Sequence, residues 1–259
     1  MNFEHRFFVI WFLMAIPHSL VECDDNDITI FYNVYIPDDP DDSDRVIKKY
    51  DRAMWIVKEQ LGCRENSIFP KAPLHYITVG KDIGELEDCN NCKRIKHYNN
   101  GNEIDTLSHL YEHCTIHQDE KVVYMHDKGS YHRTKENIRL RRLLNKAIFS
   151  EECLLLKTPL ANNTTTSALR SEESECECNI CSARFSPVPY HYMSGNMWVS
   201  ECSYISKLMH PSNFTAAMDE MIRSASTEEF GNVYKSYREW KLALGRYAGE
   251  HWITSHPDR

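Results

Sequence analysis

The stretch Lys121-Val122-Val123-Tyr124-Met125-His126-Asp127-Lys128-Gly129-Ser130-Tyr131-His132 decides how this chain is read. Its first half, KVVYMH, is β-branched and aromatic and predicts a strand. Its second half sets two histidines, a lysine, an aspartate, a serine and a glycine side by side. Such a segment does not suit a core, where unpaired charges are costly to bury. In a parallel sheet, ligands bind where strands end and loops begin. One short stretch therefore names both a strand and a candidate site.

Outward from it, two more segments have strand character: residues 28–36, ITIFYNVYI, and residues 74–79, closed by Gly80. A helix is expected over 44–61, capped by Asp42 or Ser43, with Ala53, Ile56, Val57 and Leu61 on its apolar face and Gly62 as its stop. A second is expected over 103–114, with Ile104, Leu107, Leu110 and Tyr111 along one side. A third, basic and amphipathic, is expected from Lys135 to Cys153, with Ile138, Leu143, Leu144, Ala147 and Ile148 inward. Strand and helix alternate three times, the signature of an α/β fold with a mostly parallel sheet. Residues 158–182 form a polar, cysteine-containing insert, 188–200 regain strand character, and helices fill 202–248.

The chain has 259 residues, which suits one domain with its own core. Asp plus Glu number 38 against 30 Lys plus Arg, a formal charge of -8, so bulk charge does not favour nucleic acid. Residues 7–16, FFVIWFLMAI, follow His5 and Arg6 and precede a charged segment. They predict a secretory signal peptide over 1–22, or alternatively an uncleaved type II membrane anchor, with the domain over 23–259. Acceptor patterns at Asn162, Asn163 and Asn213 agree with a secretory route. The protein is then expected in the lumen of the endoplasmic reticulum or Golgi, or outside the cell. Ten cysteines in that compartment are expected to pair. Cys89 and Cys92 form a CxxC, and Cys176, Cys178 and Cys181 a CxCxxC. The spacing alone leaves disulfides, a structural zinc and free thiols open.

Three groups carry the chemistry. Lys128 offers positive charge to a phosphate, while Ser130 and the backbone near Gly129 offer hydrogen bonds. His126 and His132 can donate, titrate or bind metal. Arg139, Arg141 and Arg142 add positive charge from the next helix. In the segment Ser194-Gly195-Asn196-Met197-Trp198, Gly195 permits close backbone approach, Asn196 can read sugar hydroxyls, and Trp198 can stack on a sugar. Glu201 and Asp219 are candidate general bases. Asp127 and, from the C-terminal tail, His256 are candidate metal ligands. Trp252 is the alternative reading of that tail, as an anchor to the core.

The segment His126-Asp127-Lys128-Gly129-Ser130-Tyr131-His132 followed by Gly195-Asn196-Met197-Trp198 resembles the GT-A-type glycosyltransferases of the rhamnan-synthesis group. His126, Lys128, Ser130 and His132 match the first motif, and Gly195, Met197 and Trp198 fall in the second. The likeness implies an open GT-A-like sheet, a nucleotide-diphospho-sugar donor, and a glycan or protein acceptor. GT-A enzymes as a rule also carry an Asp-x-Asp for Mn²⁺ or Mg²⁺ after a central strand. Here Asp39-Pro40-Asp41 and Asp42-Ser43-Asp44 fit the letters but lie too early in the order. The resemblance therefore leaves open whether Mn²⁺ or Mg²⁺, or basic side chains alone, neutralise the diphosphate. Two alternatives stand beside transfer: a non-catalytic carbohydrate-binding protein of the same fold, and a disulfide-stapled interaction protein.

Overall fold

A computed structural model describes residues 27–37, 43–87, 89–130, 134–155, 178–187, 191–225 and 245–256. The predicted leader, the N-glycan patterns at Asn162 and Asn163, and His132 lie outside these residues. The architecture is α/β, with a mixed, largely parallel sheet flanked by helices. Strand β1 (Ile28–Ile36) leads to α1 (Ser43–Glu65), β2 (Leu74–Gly80) and β3 (Cys92–Tyr98). Then come α2 (Glu103–Ile116), β4 (Lys121–His126), α3 (Lys135–Ile148) and a short α4 (Glu151–Leu154). Four short strands follow: β5 (Ile180–Cys181), β6 (Phe185–Ser186), β7 (Tyr192–Met193) and β8 (Trp198–Glu201). Helices α5 (Cys202–Ile205), α6 (Pro211–Ala225) and α7 (Ala248–Trp252) complete the described chain. No helix among the described residues is long and apolar enough to cross a membrane.

The main sheet has the order β3-β2-β1-β4-β8-β5. β3, β2, β1 and β4 are mutually parallel, and β8 runs antiparallel to both β4 and β5. Strand alternation divides the interior into two cores. Ile30, Tyr32, Val34, Val123 and Met125 face α1 and α3, meeting Ala53, Val57, Leu144 and Ile148. Phe31, Val122 and Tyr124 face the other way, meeting Leu107 and Leu110 of α2 together with Trp198 and Trp252. Both faces of the central strands are thus covered, which is why they read as nearly unbroken apolar runs.

Several boundaries differ from the sequence reading. Gly62 does not stop α1, which continues to Glu65; a glycine there costs helix propensity but blocks nothing. The basic edge strand β3 has no apolar alternation, because its side chains are only half-covered. The helix expected from Lys135 to Cys153 is two helices, since Ser150 caps a new turn by accepting from Cys153 N–H. Leu143 faces solvent, while Arg141 and Asn145 take buried positions beside Leu144 and Ile148.

Among the described residues the cysteines form Cys89–Cys92, Cys114–Cys202 and Cys153–Cys181, with Cys63 and Cys178 free; Cys23 and Cys176 lie outside them. Cys89 and Cys92 bond each other and Cys181 bonds Cys153, so disulfides take the place of zinc at these three thiols. The last bridge ties the two ends of the polar insert.

Candidate active site

The strand order reverses between β1 and β4, and that is where an open α/β sheet places a ligand crevice. A cavity of about 490 Å³ lies there, at the carboxyl ends of the parallel strands. β1 contributes Asn33 and Tyr35, the start of α2 contributes Asn102 and Glu103, and the loop after β4 contributes His126 to Ser130. Tyr247 and Glu250 close it from the C-terminal segment.

The loop after β4 is fixed from three sides. Gln60 Nε2 of α1 donates to the His126 carbonyl at 3.1 Å. The buried Arg141 guanidinium donates to the Lys128 carbonyl at 3.0 Å while its other nitrogens hold Glu59 at 2.7 and 2.9 Å. Tyr35 N–H donates to Asp127 Oδ1 at 3.0 Å. Arg141 is therefore a clamp on the loop, not charge offered to a ligand as its sequence position suggested. Arg142 also spends its guanidinium on Glu59, at 2.9 Å.

Asp127 is 2% exposed, and its Oδ2 has no hydrogen-bond partner among the described residues. Burial pushes its carboxyl well above the usual range, against the pull of the Tyr35 N–H and the Ser130 hydroxyl, and the charge of Glu103 adds to the rise. An orphaned oxygen of this kind needs an explanation, and a missing ligand or ion is one. Ser130, 4% exposed, closes the turn by donating its N–H to the Asp127 carbonyl at 3.0 Å.

Glu103 is the residue that sequence reasoning passed over. It opens α2 directly after the N-cap Asn102, a place where a carboxylate gains from the helix dipole. Asn33 Nδ2 holds the start of that helix by donating to the Asn102 carbonyl at 3.2 Å and Thr106 Oγ1 at 2.9 Å. Glu103 Oε2 accepts from Asn196 Nδ2 at 2.6 Å and from the Tyr124 hydroxyl at 3.4 Å. Its Oε1 lies 3.4 Å from His126 Nδ1. Burial, with Glu103 next, pushes the Tyr124 phenol well above its usual range, so it stays a donor. A carboxylate oriented by several donors and facing a cavity is equipped to accept a proton or to ligate a cation.

The structure gathers His126, Asp127, Lys128 and Ser130 at the cavity and removes others. Asn196 is fully buried between Glu103 and the Trp198 indole, whose Nε1 donates to it at 3.0 Å, so it positions Glu103 and reads no sugar. Trp198 is fully buried and has no face to offer a sugar. Gly195 acts through its backbone: φ is +92°, and its carbonyl accepts from His126 Nε2 at 2.8 Å. Glu201 lies at the far end of the sheet, 3.9 Å from Lys121, because β8 runs antiparallel to β4. Asp219 sits on α6 and is not among the residues lining the cavity. His256 stacks on Tyr204 at 5.5 Å. Trp252 anchors the tail, donating to the Met209 carbonyl at 2.7 Å, and the tail delivers Glu250 to the cavity in place of a histidine.

A family model described as a domain of unknown function (DUF8361) matches residues 31–259. No curated protein is a significant match. Among solved structures, a "putative nucleotide-diphospho-sugar transferase" from Desulfovibrio desulfuricans G20 is similar over 47% of this chain and 54% of its own length. Identity is 14% and the TM-score 0.26, a likeness too slight to carry an argument about either fold or activity.

Proposed function

This chain belongs to the DUF8361 family, and from its cavity we propose that it binds a nucleotide-diphospho-sugar and transfers the sugar to a hydroxyl of a glycan or glycoprotein. The observation that carries this reading is the buried Asp127, whose Oδ2 has no partner among the described residues, beside Lys128 and Glu103 at the β1/β4 switch point. The sheet, with its antiparallel β8 inside an otherwise parallel set, is of the open kind expected of a GT-A-like domain.

In this reading Lys128 and the backbone at Gly129 hold the diphosphate, while Ser130 steadies Asp127 beside them. Glu103, steered by Asn196, Tyr124 and His126, takes the proton of the acceptor hydroxyl as its oxygen bonds the anomeric carbon. The bond from that carbon to the diphosphate breaks, and its electron pair leaves with the nucleotide diphosphate. The growing charge falls where Lys128 stabilises it. Asp127 and Glu250 are oxygen donors of the kind that fits Mn²⁺ or Mg²⁺, and the orphaned Oδ2 suits such an ion. Bound there, the cation would neutralise the diphosphate and keep Asp127 ionised. The disulfides support an oxidising compartment, the secretory lumen, for this activity.

The test is nucleotide release from a panel of nucleotide sugars, with glycan acceptors, in the presence and absence of EDTA. Wild type is compared with Lys128→Ala and Glu103→Gln. The reading expects release with at least one donor and its loss in both variants. Sugar binding without release in wild type would support the non-catalytic alternative instead. Neither binding nor release with any donor would sink the proposal.

A further inference from the structure

The opposite end of the sheet carries a second polar cluster that the transfer reaction does not use. His113 and His117 stand one turn apart on α2 and its C-cap, so they share a face. Their rings stack at 4.4 Å and 21°. Glu120 follows in the short turn into β4. Each of its oxygens meets one imidazole: Oε2 lies 2.9 Å from His113 Nε2, and Oε1 3.1 Å from His117 Nδ1. Thr29 of β1 donates its hydroxyl to Oε2 at 3.0 Å and so orients the carboxylate from behind.

The three ligand atoms all lie within 4.8 Å of one another. In a tetrahedral site with ligand distances of about 2.1 Å, ligand atoms sit about 3.4 Å apart. Small side-chain rotations therefore reach that geometry, with no movement of the backbone. The corner itself is rigid. Cys114 of α2 is bonded to Cys202, and Cys202 N–H donates to the Glu120 carbonyl at 2.8 Å. His117 is 47% exposed, which leaves an entry path and room for a water as fourth ligand.

We propose that His113, His117 and Glu120 form a zinc site with its fourth position open to water, fastening the end of α2 to the start of β4. Two imidazoles and one carboxylate favour zinc over Mg²⁺ and Mn²⁺, which prefer all-oxygen sets. This is not the donor site's cation: roughly 15–20 Å of α2 separates the cluster from Glu103. The inference stands whether or not the cavity transfers sugar.

The experiment uses tag-free full-length protein stripped with a chelator. Zn²⁺ is titrated by calorimetry, and Co²⁺ by its visible absorption. We expect one Zn²⁺ per chain, tetrahedral Co²⁺ bands, and a melting temperature raised by roughly 5–10 °C at a hundredfold excess over Kd. His117→Ala, at an exposed position that leaves the core intact, weakens binding by more than the roughly 10- to 100-fold that an outer-shell loss costs. Thr29→Val falls within that range, and Lys128→Ala leaves binding unchanged. No Zn²⁺ binding in wild type overturns the proposal. So does Zn²⁺ binding that survives His117→Ala, which would place the ion on thiols such as Cys63 or Cys178 or in the cavity. Preference for Mn²⁺ over Zn²⁺ overturns it as well.

Discussion

Helix α2 carries a polar cluster at each of its two ends, at opposite ends of the sheet, and the two are built differently. At its N-terminus, Glu103 faces a cavity shared with a buried, unpartnered Asp127 oxygen. At its C-terminus, His113, His117 and Glu120 close on one another. The cause is connectivity. At the carboxyl ends, the chain leaves β1 through α1 toward β2 and leaves β4 through α3 toward β8, so the two exits part to either side of the switch point and leave volume between them. At the amino ends, α2 turns into β4 within a few residues, so side chains meet each other first. Polar residues gathered by a tight turn stand close enough to share a single ion, whereas those gathered at a switch point surround a volume that a larger ligand can fill.

The sharpest way to break this contrast is Glu103→Gln, which keeps volume and removes the charge. Donor-dependent kcat should fall by about 10²–10⁴-fold, with Zn²⁺ binding at the other end unchanged. A calorimetric trace showing both lost together would mean that the two ends are one unit. Next in size is the paired change of Cys114 and Cys202 to serine. The bridge spans a sequence separation of 88 residues, and its loss should cost about 2–5 kcal/mol in denaturant unfolding. Nucleotide-sugar affinity of the folded fraction should hold, because the bridge lies at the amino end.

Gly195→Ala works from the cavity side. A Cβ there would sit 2.6 Å from Leu144 Cδ1, on a backbone at φ +92°. Stability should fall by roughly 1–3 kcal/mol. Turnover should fall with it, since the Gly195 carbonyl holds His126. Retained turnover at full stability would show that His126 needs no such anchor.

The smallest effect concerns pH. Asp127 has a raised pKa in the fold, so the native state holds its proton more tightly than the unfolded chain. Its contribution favours the fold below the unfolded carboxylate value of about 3.9 and is lost as pH rises through the native value. Asp127→Asn should therefore raise the melting temperature near neutral pH and flatten that part of the profile. An unchanged profile would mean that Asp127 is ionised in the free protein, with a partner for Oδ2.

Much of this was legible before folding. KVVYMH and ITIFYNVYI announced central strands because burial on both faces leaves an apolar run. His126, Asp127, Lys128 and Ser130 announced a site because charge beside a buried strand has to face something other than core. Glu103 was not legible. A glutamate opening a helix is ordinary on a surface, and its Asn196, Tyr124 and His126 contacts all come from distant parts of the sequence. Asn196 and Trp198 misled for the converse reason: residues fit to bind a sugar are equally fit to support a buried carboxylate. Glu201 failed on direction alone, since an antiparallel β8 carries its last residue away from the cavity. β3 was missed because an edge strand with half-covered side chains has no alternation to read.

By itself, the sequence determined the alternating α/β layout, the two-faced burial of the central strands and the loop after β4. These rest on periodicity within one element, which local chemistry sets. The tertiary structure decided which carboxylates face the cavity, which cysteines pair, and that two histidines and a glutamate converge at the far end of α2. Those depend on strand order and direction. Residues adjacent in the chain can be sent to opposite ends of the sheet, and residues distant in it brought within a hydrogen bond.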